Sequence, residues 1–130
     1  MYLVDTNVFL EVLLTQERRE SCKKFLEKNI GNLYISDFSL HSIGVILFRN
    51  DKEKIFQKFA NDVLPNVKII TLSKRAYEDL AGIKKKLELD FDDAYQYKVA
   101  KEHDLEIATL DKDFEKVKND VPVMFLQGIV

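Results

Sequence analysis

Short apolar runs alternate along the chain with segments whose apolar residues repeat every three or four positions. Such runs are typical of strands buried on both faces, and such repeats are typical of amphipathic helices. The predicted strands span residues 2–4, 33–35, 67–72, 106–110 and 123–126. The first predicted helix begins after residue 7. The other predicted helices span residues 17–28, 38–48, 51–65, 73–86, 91–103 and 113–118. This alternation predicts an α/β fold, a three-layer α/β/α sandwich around a mostly parallel central sheet.

Side chains that accept hydrogen bonds from backbone amides stand at several predicted helix starts. Asp37 precedes the helix at 38–48, Asp51 precedes the next helix, and Ser73 follows the third strand. Asp and Ser are preferred at the N-cap because their side-chain oxygen binds a free amide of the first turn. We therefore expect these three residues to cap helices.

The length and composition are those of one soluble globular domain over residues 1–130. Hydrophobic residues make up 46% of the chain and charged residues 32%, and no linker or repeat divides it. No apolar run approaches the roughly 20 residues that cross a bilayer, so we expect no membrane partner. The net charge of −2 argues against a protein that binds nucleic acid by positive charge alone.

The chain has one cysteine, Cys22, on the second predicted helix. A single cysteine excludes an internal disulfide and a zinc site built from cysteine pairs. We expect Cys22 to be a small core residue. This cysteine usage favours a cytoplasmic location.

Acidic residues stand where predicted strands end. Asp5, Asp37 and Asp111 each follow a strand, and Asp93 lies in the first turn of the helix at 91–103. In parallel α/β sheets these positions share one edge, at which ligands bind. We therefore expect these carboxylates to converge.

Converging carboxylates repel one another unless a cation neutralises them. Oxygen ligands without histidine or cysteine match Mg²⁺ or Mn²⁺, whose coordination is commonly completed by water and substrate phosphates. A bound divalent ion polarises a phosphoryl oxygen and lowers the pKa of a bound water. The pattern therefore points to phosphodiester hydrolysis, and the metal explains how an acidic site accepts a polyanion.

Some of these acids also have a structural interpretation. Asp93 follows Asp90 by three residues, which is close to the spacing of a capping box. Asp111 is placed to cap the short helix at 113–118. No structural role is evident for Asp5, which makes Asp5 the most indicative of the acids.

Four segments carry a resemblance to a known family. They are YLVDTNVFLE at 2–11, ISDFSL at 35–40, DFDDAYQY at 90–97 with Val99-Ala100, and IATLDKDF at 107–114. In this order and spacing they resemble the PIN-domain family, and within it the small VapC-like ribonuclease toxins. The resemblance covers essentially the whole chain.

The resemblance implies roles for individual residues. Asp5, Asp93 and Asp111 match the first, third and fourth metal-binding acids of the family and would be its catalytic residues. The accessory residues that it implies are Thr6 and Asn7, which would order the first carboxylate, Thr109, which would hydrogen-bond within the site, and Asp113.

The implied activity is a Mg²⁺- or Mn²⁺-dependent endoribonuclease, a hydrolase that cleaves RNA with an activated water and leaves a 5′-phosphate. VapC-like proteins are toxins of toxin-antitoxin pairs. The resemblance therefore implies RNA as substrate, a small antitoxin protein as partner, and a homodimer.

The chain departs from the family pattern at Ser42. The second acid of the family is a glutamate in a Ser-x-x-Thr/Ser-x-x-Glu register, which here reads Ser36, Ser39 and Ser42. A neutral hydroxyl cannot supply the missing charge, so the metal would bind more weakly or in another geometry. Asp37, and after it Glu11, are the candidates to compensate.

Ser42 also keeps open an alternative function, a degenerate PIN domain that binds RNA or a protein without cleaving RNA. A haloacid-dehalogenase hydrolase is disfavoured because Asn7 stands where its Asp-x-Asp motif needs a second acid. A response-regulator receiver is disfavoured because no acidic pair follows the first strand.

Overall fold

The computed structural model describes residues 1–128. Its strands are β1 (Tyr2–Val4), β2 (Leu33–Ser36), β3 (Val67–Ile70), β4 (Glu106–Thr109) and β5 (Val123–Phe125). Its α-helices are α1 (Thr6–Leu13), α2 (Arg19–Lys28), α3 (Asp37–Arg49), α4 (Glu53–Asp62), α5 (Leu80–Leu87) and α6 (Phe91–His103). Shorter 3-10 helices cover Leu64–Asn66, Lys74–Asp79, Lys112–Val117 and Leu126–Gly128.

The strands form one parallel sheet in the order β3-β2-β1-β4-β5. The chain runs from β1 outward through β2 to β3, then returns to the other side of β1 for β4 and β5. The topological switch point therefore lies between β1 and β4. Val4 of β1 pairs with Ala108 of β4, so the carboxyl ends of these two strands lie side by side.

Helices cover both faces of the sheet. Leu3 of β1 packs on one face with buried residues of α5 and α6, such as Leu80 and Val99. Val4 points to the other face, where it joins buried residues of α1 to α4, such as Phe9 and Phe59. The sequence prediction of an α/β sandwich around a mostly parallel sheet is confirmed.

Ser36, and not Asp37 as predicted, is the N-cap of α3. The backbone of Ser36 is extended, and its side-chain oxygen accepts a hydrogen bond of 3.0 Å from the Ser39 amide. Asp37 is already helical, and its carboxylate accepts from the next amide, that of Phe38, at 2.9 Å. The Asp37 side chain is therefore free of the capping role.

Asp51 ends α3 instead of capping α4. Its backbone is left-handed, with φ of 56°. The amides of Asp51 and Lys52 donate to the carbonyl oxygens of Phe48 and Leu47, respectively. These two bonds are a Schellman motif, which satisfies free carbonyl groups at a helix C-terminus. The N-cap of α4 is Lys52, without a side-chain hydrogen bond.

The segment after β3 is less regular than predicted. The strand ends at Ile70, and the Leu72 amide donates instead to the Tyr95 hydroxyl at 3.1 Å. Ser73 caps the following turn as predicted, with its hydroxyl accepting from the Ala76 amide. A 3-10 helix then precedes α5, where the sequence predicts one continuous helix.

Cys22 is fully buried in the core beneath α2, as predicted. Burial raises the pKa of its thiol to about 11, because the thiolate would lose its hydration there. Among the helices within residues 1–128, none is long and apolar enough to cross a membrane.

Candidate metal centre

A cavity of about 260 Å³ opens at the switch point between β1 and β4. Its lining includes the polar residues Asp5, Thr6, Asn7, Ser42, Asp92, Asp93, Gln96 and Asp111. We call this cavity the acidic pocket. The three acids that the sequence assigns to metal binding thus line one cavity.

Asp93, Asp111 and Asp113 form a cluster of carboxylates at the acidic pocket. Each offers a carboxylate oxygen, and these oxygens all lie within 4.8 Å of one another. Asp93 is buried on the first turn of α6, Asp111 follows β4 by two residues, and Asp113 is exposed on the adjoining 3-10 helix. The sequence predicts only an accessory place for Asp113, whereas the structure includes it in one cluster with Asp93 and Asp111.

Hydrogen bonds fix the orientation of Asp111. Its amide donates to the Thr109 hydroxyl at 2.9 Å, and its carboxylate accepts from the Asp113 amide at 2.9 Å. Asp111 is therefore also the N-cap of the 3-10 helix, as the structural interpretation proposed. Capping uses one carboxylate oxygen and orders the other.

Asp5 lies deeper, at the end of β1, with 7% of its surface exposed. Its Oδ1 accepts from the Thr6 amide and from Gln96 Nε2, and its Oδ2 accepts from the Thr109 hydroxyl at 2.8 Å. Asp5 is thus the N-cap of α1, a structural role that the sequence analysis did not foresee. Burial raises the pKa of Asp5, and these hydrogen bonds oppose that rise.

Gln96 is the residue at the site that sequence reasoning missed. Its side chain is buried, and Nε2 donates to Asp5 and to the Ser39 hydroxyl at 2.8 Å. Its Oε1 accepts from the Ser36 hydroxyl at 2.7 Å. Gln96 follows Asp93 by three residues, so a polar side chain on the same helix face was the available signal.

Neighbouring charges and burial disfavour ionisation of Asp93. Burial is the larger cause, and together they raise the pKa of Asp93 to about 8. The carboxylates that contribute are Asp111, Asp90, Asp5 and Asp113, in that order. The cluster is therefore electrostatically strained as it stands, and a cation would relieve it.

Three other predicted site residues, Thr6, Asn7 and Ser42, lie at the walls of the acidic pocket. Asn7 accepts a hydrogen bond from the Leu110 amide at 3.3 Å, which ties α1 to the end of β4. The Thr6 hydroxyl donates to Ser39 at 2.9 Å. Ser42, half-buried on α3, lines the pocket where the family pattern places a glutamate.

The two candidates to replace the missing glutamate point elsewhere. The carboxylate of Asp37 accepts from the Tyr95 hydroxyl at 2.6 Å and lies in a neighbouring cavity. Glu11 accepts from the Arg18 amide at 2.7 Å. Neither residue lines the acidic pocket.

The candidate ligand atoms of the acidic pocket fit a hard divalent cation. The clustered ligand atoms are carboxylate oxygens, which Mg²⁺ and Mn²⁺ prefer over nitrogen or sulfur. Three acids leave coordination positions for water and a phosphate oxygen. A divalent cation beside Asp93 would lower its raised pKa, because the positive charge favours the ionised carboxylate.

Comparison with protein families agrees with this geometry. The family model of the PIN domain matches residues 2–120. The chain belongs to the PIN domain family. The resemblance drawn from the sequence is therefore confirmed. A search of curated proteins found no match to the chain.

Solved structures share the fold of this PIN domain. A chain of a toxin-antitoxin complex from Klebsiella pneumoniae has a TM-score of 0.76 and 24% identity, over 97% of this chain and 98% of that chain. FitAcB from Neisseria gonorrhoeae has a TM-score of 0.80 and 22% identity, over 99% of this chain and 100% of that chain. VapBC2 from Rickettsia felis, bound to a promoter DNA fragment, has a TM-score of 0.77 and 18% identity, over 95% of this chain and 97% of that chain.

Proposed function

We propose that this PIN domain is a Mg²⁺- or Mn²⁺-dependent endoribonuclease and the toxin of a toxin-antitoxin pair. The observation that carries the proposal is the cluster of Asp93, Asp111 and Asp113 at the switch point. Membership of the PIN domain family over residues 2–120 supports the nuclease assignment.

Asp93, Asp111 and Asp113 are the residues that would hold the ion, with Asp5 beside them. The Oδ2 atom of Asp5 accepts one hydrogen bond, from Thr109, and keeps acceptor capacity for a cation or its water. A divalent ion in such a site polarises a phosphoryl oxygen and lowers the pKa of a bound water.

The remaining residues of the pocket position these acids. Gln96 and Thr109 hold the two oxygens of Asp5 in fixed directions. Asn7 fixes the end of β4, which sets the position of Asp111. The burial of Asp5 and Asp93 limits water around both carboxylates, which strengthens their attraction for a cation.

The similar structures support an antitoxin as partner. They include a toxin-antitoxin complex and VapBC2 bound to a promoter DNA fragment. We propose the same kind of partner, a small antitoxin protein, for the present chain. We further propose a second copy of the chain as partner and RNA as substrate.

Cleavage of single-stranded RNA by the purified protein tests the proposal. Mg²⁺ or Mn²⁺ should support cleavage by the wild type, and Asp93→Asn and Asp111→Asn should each lower the rate by at least about 100-fold. Asn is as good an N-cap as Asp, so Asp111→Asn keeps the local fold.

Asp62→Asn is the matched control, because Asp62 is an exposed acid at the end of α4 and outside the acidic pocket. It should cleave at the wild-type rate. Equal loss of rate in Asp62→Asn, or equal cleavage by all four proteins, would contradict the assignment of the site.

Ser42 favours one second candidate, a PIN domain that binds RNA or a protein without cleavage. The acidic pocket lacks the family's second acid, and neither Asp37 nor Glu11 replaces it. RNA binding without cleavage under either metal would support this candidate over the nuclease.

A further inference from the structure

A second cavity of about 220 Å³ adjoins the acidic pocket and has no part in the metal centre. Its lining residues are Asp37, Phe38, His41, Tyr77, Phe91 and Tyr95. We call it the aromatic pocket. Phe38 lines both cavities, so they are neighbours.

The aromatic rings form a buried floor with exposed walls. Tyr95 is the floor, with 2% of its surface exposed. Phe91 stacks on Tyr95 with ring centroids 6.1 Å apart, and Tyr77 meets it at 5.8 Å. Phe91 is 52% exposed and Tyr77 45%, which leaves large ring surfaces open at the cavity.

Asp37 gives the aromatic pocket a polar edge. Its Oδ1 accepts from the Tyr95 hydroxyl and the Phe38 amide, which fixes the carboxylate. Within residues 1–128 the structure gives Oδ2 no hydrogen-bond donor. Burial and the bond to Asp37 raise the pKa of Tyr95, so its hydroxyl remains a donor. One carboxylate oxygen is therefore anchored and the other is available.

Open aromatic rings beside a fixed hydrogen-bonding group are how proteins bind unpaired nucleobases. Bases stack on the rings, and their edges are read by side-chain acceptors and donors. A carboxylate accepts from an amino group, as when Asp or Glu binds the N4 amine of cytosine. Uracil has no amino group, and its N3–H donor lies between two carbonyl oxygens that the carboxylate repels.

The aromatic pocket is also in the right place for a base. Phe91 begins α6, and two residues later Asp93 enters the metal centre. On α3, Asp37 and His41 border the aromatic pocket while Ser42 borders the acidic one. The N-terminal parts of α3 and α6 thus contribute lining residues to both cavities.

We propose that the aromatic pocket binds an unpaired, amino-bearing nucleobase of an RNA whose backbone lies in the acidic pocket. The proposal rests on the proposed function. Phe91 and Tyr77 supply the stacking surface, and Asp37 Oδ2 accepts from the amino group. The pocket would select cytosine, adenine or guanine over uracil beside the scissile phosphate.

Fluorescence of 2-aminopurine in a short single-stranded RNA tests the stacking. The chain has no tryptophan, so the base can be excited selectively. Ca²⁺ serves as the neutralising cation, and a gel checks that the RNA stays intact. Scanning the label along the RNA should give strong quenching in the wild type at one position.

Phe91→Leu and Tyr77→Leu should reduce this quenching and weaken binding by about 5- to 100-fold. The matched control is Phe48→Leu. Phe48 is 58% exposed on α3, roughly 16 Å along the axis from Asp37, and packs on Phe56. It should match the wild type. Unchanged quenching in Phe91→Leu and Tyr77→Leu overturns the proposal, as does a wild type that quenches no label, the result expected if a protein partner fills the pocket.

The role of Asp37 is tested by the preference between cytosine and uracil at the quenched position. The wild type should bind the cytosine RNA about tenfold more tightly. Asp37→Asn should lose most of this preference, because its amide oxygen still accepts from Tyr95 and its amide nitrogen, a donor, takes the place of Oδ2 toward the base. A preference that Asp37→Asn leaves intact contradicts the assignment of this residue.

These results are separable from the proposed function. RNA cleavage with no effect of Phe91→Leu on quenching would leave the nuclease standing and reject the aromatic pocket. Quenching without cleavage under Mg²⁺ or Mn²⁺ would reject the nuclease and leave the aromatic pocket standing.

Discussion

At the scale of single residues, two acids of this PIN domain each have two roles. Asp5 and Asp111 cap helical segments with one oxygen and line the acidic pocket. A cap needs an oxygen at a helix start, and a metal site needs oxygens at the ends of parallel strands, where helices start. The structural and functional interpretations are therefore compatible.

Gln96 is the residue on which the inner part of the site depends. It bonds to Asp5, Ser39 and Ser36, all of them largely buried. Gln96→Leu removes one hydrogen bond from each of these buried groups, which should lower the free energy of unfolding by about 1–3 kcal/mol. Chemical denaturation measures this loss, and Mg²⁺ affinity should fall with it because Asp5 loses one of its orienting bonds.

Gln57→Leu is the matched control for this prediction, since Gln57 is exposed on α4. It should change stability by less than about 0.5 kcal/mol. If Gln96→Leu is as stable as Gln57→Leu and binds metal like the wild type, the network around Gln96 does not hold Asp5.

The acids of the pocket could be predicted from the sequence, and the hydrogen bonds of Gln96 could not. Asp5 and Asp111 follow apolar runs directly, so their place at the sheet edge follows from the topology alone. Gln96 lies among buried residues of α6, and its partners are up to 91 positions away. Only the packing of α6 over β1 and α3 brings these groups together.

At the scale of secondary-structure elements, helix starts determine what the pocket contains. The start of α6 brings Asp93, and α3 brings Ser42 one turn further along. Sequence predicted these helices well, because their apolar periodicity is strong. It misplaced the caps at Asp37 and Asp51, since the same residue types also suit the first helical turn and a left-handed helix end.

Ser42 on α3 provides the test at this scale. Ser42→Glu should add a carboxylate to the acidic pocket and tighten Mn²⁺ binding by about tenfold, while lowering the melting temperature without metal through repulsion. Calorimetric titration and thermal unfolding measure both effects, and RNA cleavage should increase.

Ser42→Gln controls for the larger side chain without the charge, and it should bind Mn²⁺ no better than the wild type. If Ser42→Glu also leaves Mn²⁺ affinity unchanged, position 42 does not contribute to the metal centre, and the departure from the family pattern has no electrostatic consequence.

At the scale of the whole molecule, the sheet order places the site. β1 is central, and the chain adds β2 and β3 on one side of it and β4 and β5 on the other. The ends of β1 and β4 therefore form the crevice between α1 and α6. The alternating pattern of the sequence predicts this architecture. It does not predict the separate aromatic pocket, which depends on how Tyr77, from the irregular segment before α5, packs on Tyr95.

The central claim is that the carboxylates at this crevice bind one divalent cation centre. Anomalous scattering from crystals grown with Mn²⁺ measures this most directly. We predict a manganese peak bound by Asp93, Asp111 and Asp113, directly or through water, with Asp5 adjacent, and no such peak in Asp111→Asn. Wild-type crystals at saturating Mn²⁺ that place manganese elsewhere, or nowhere on the chain, would contradict the account.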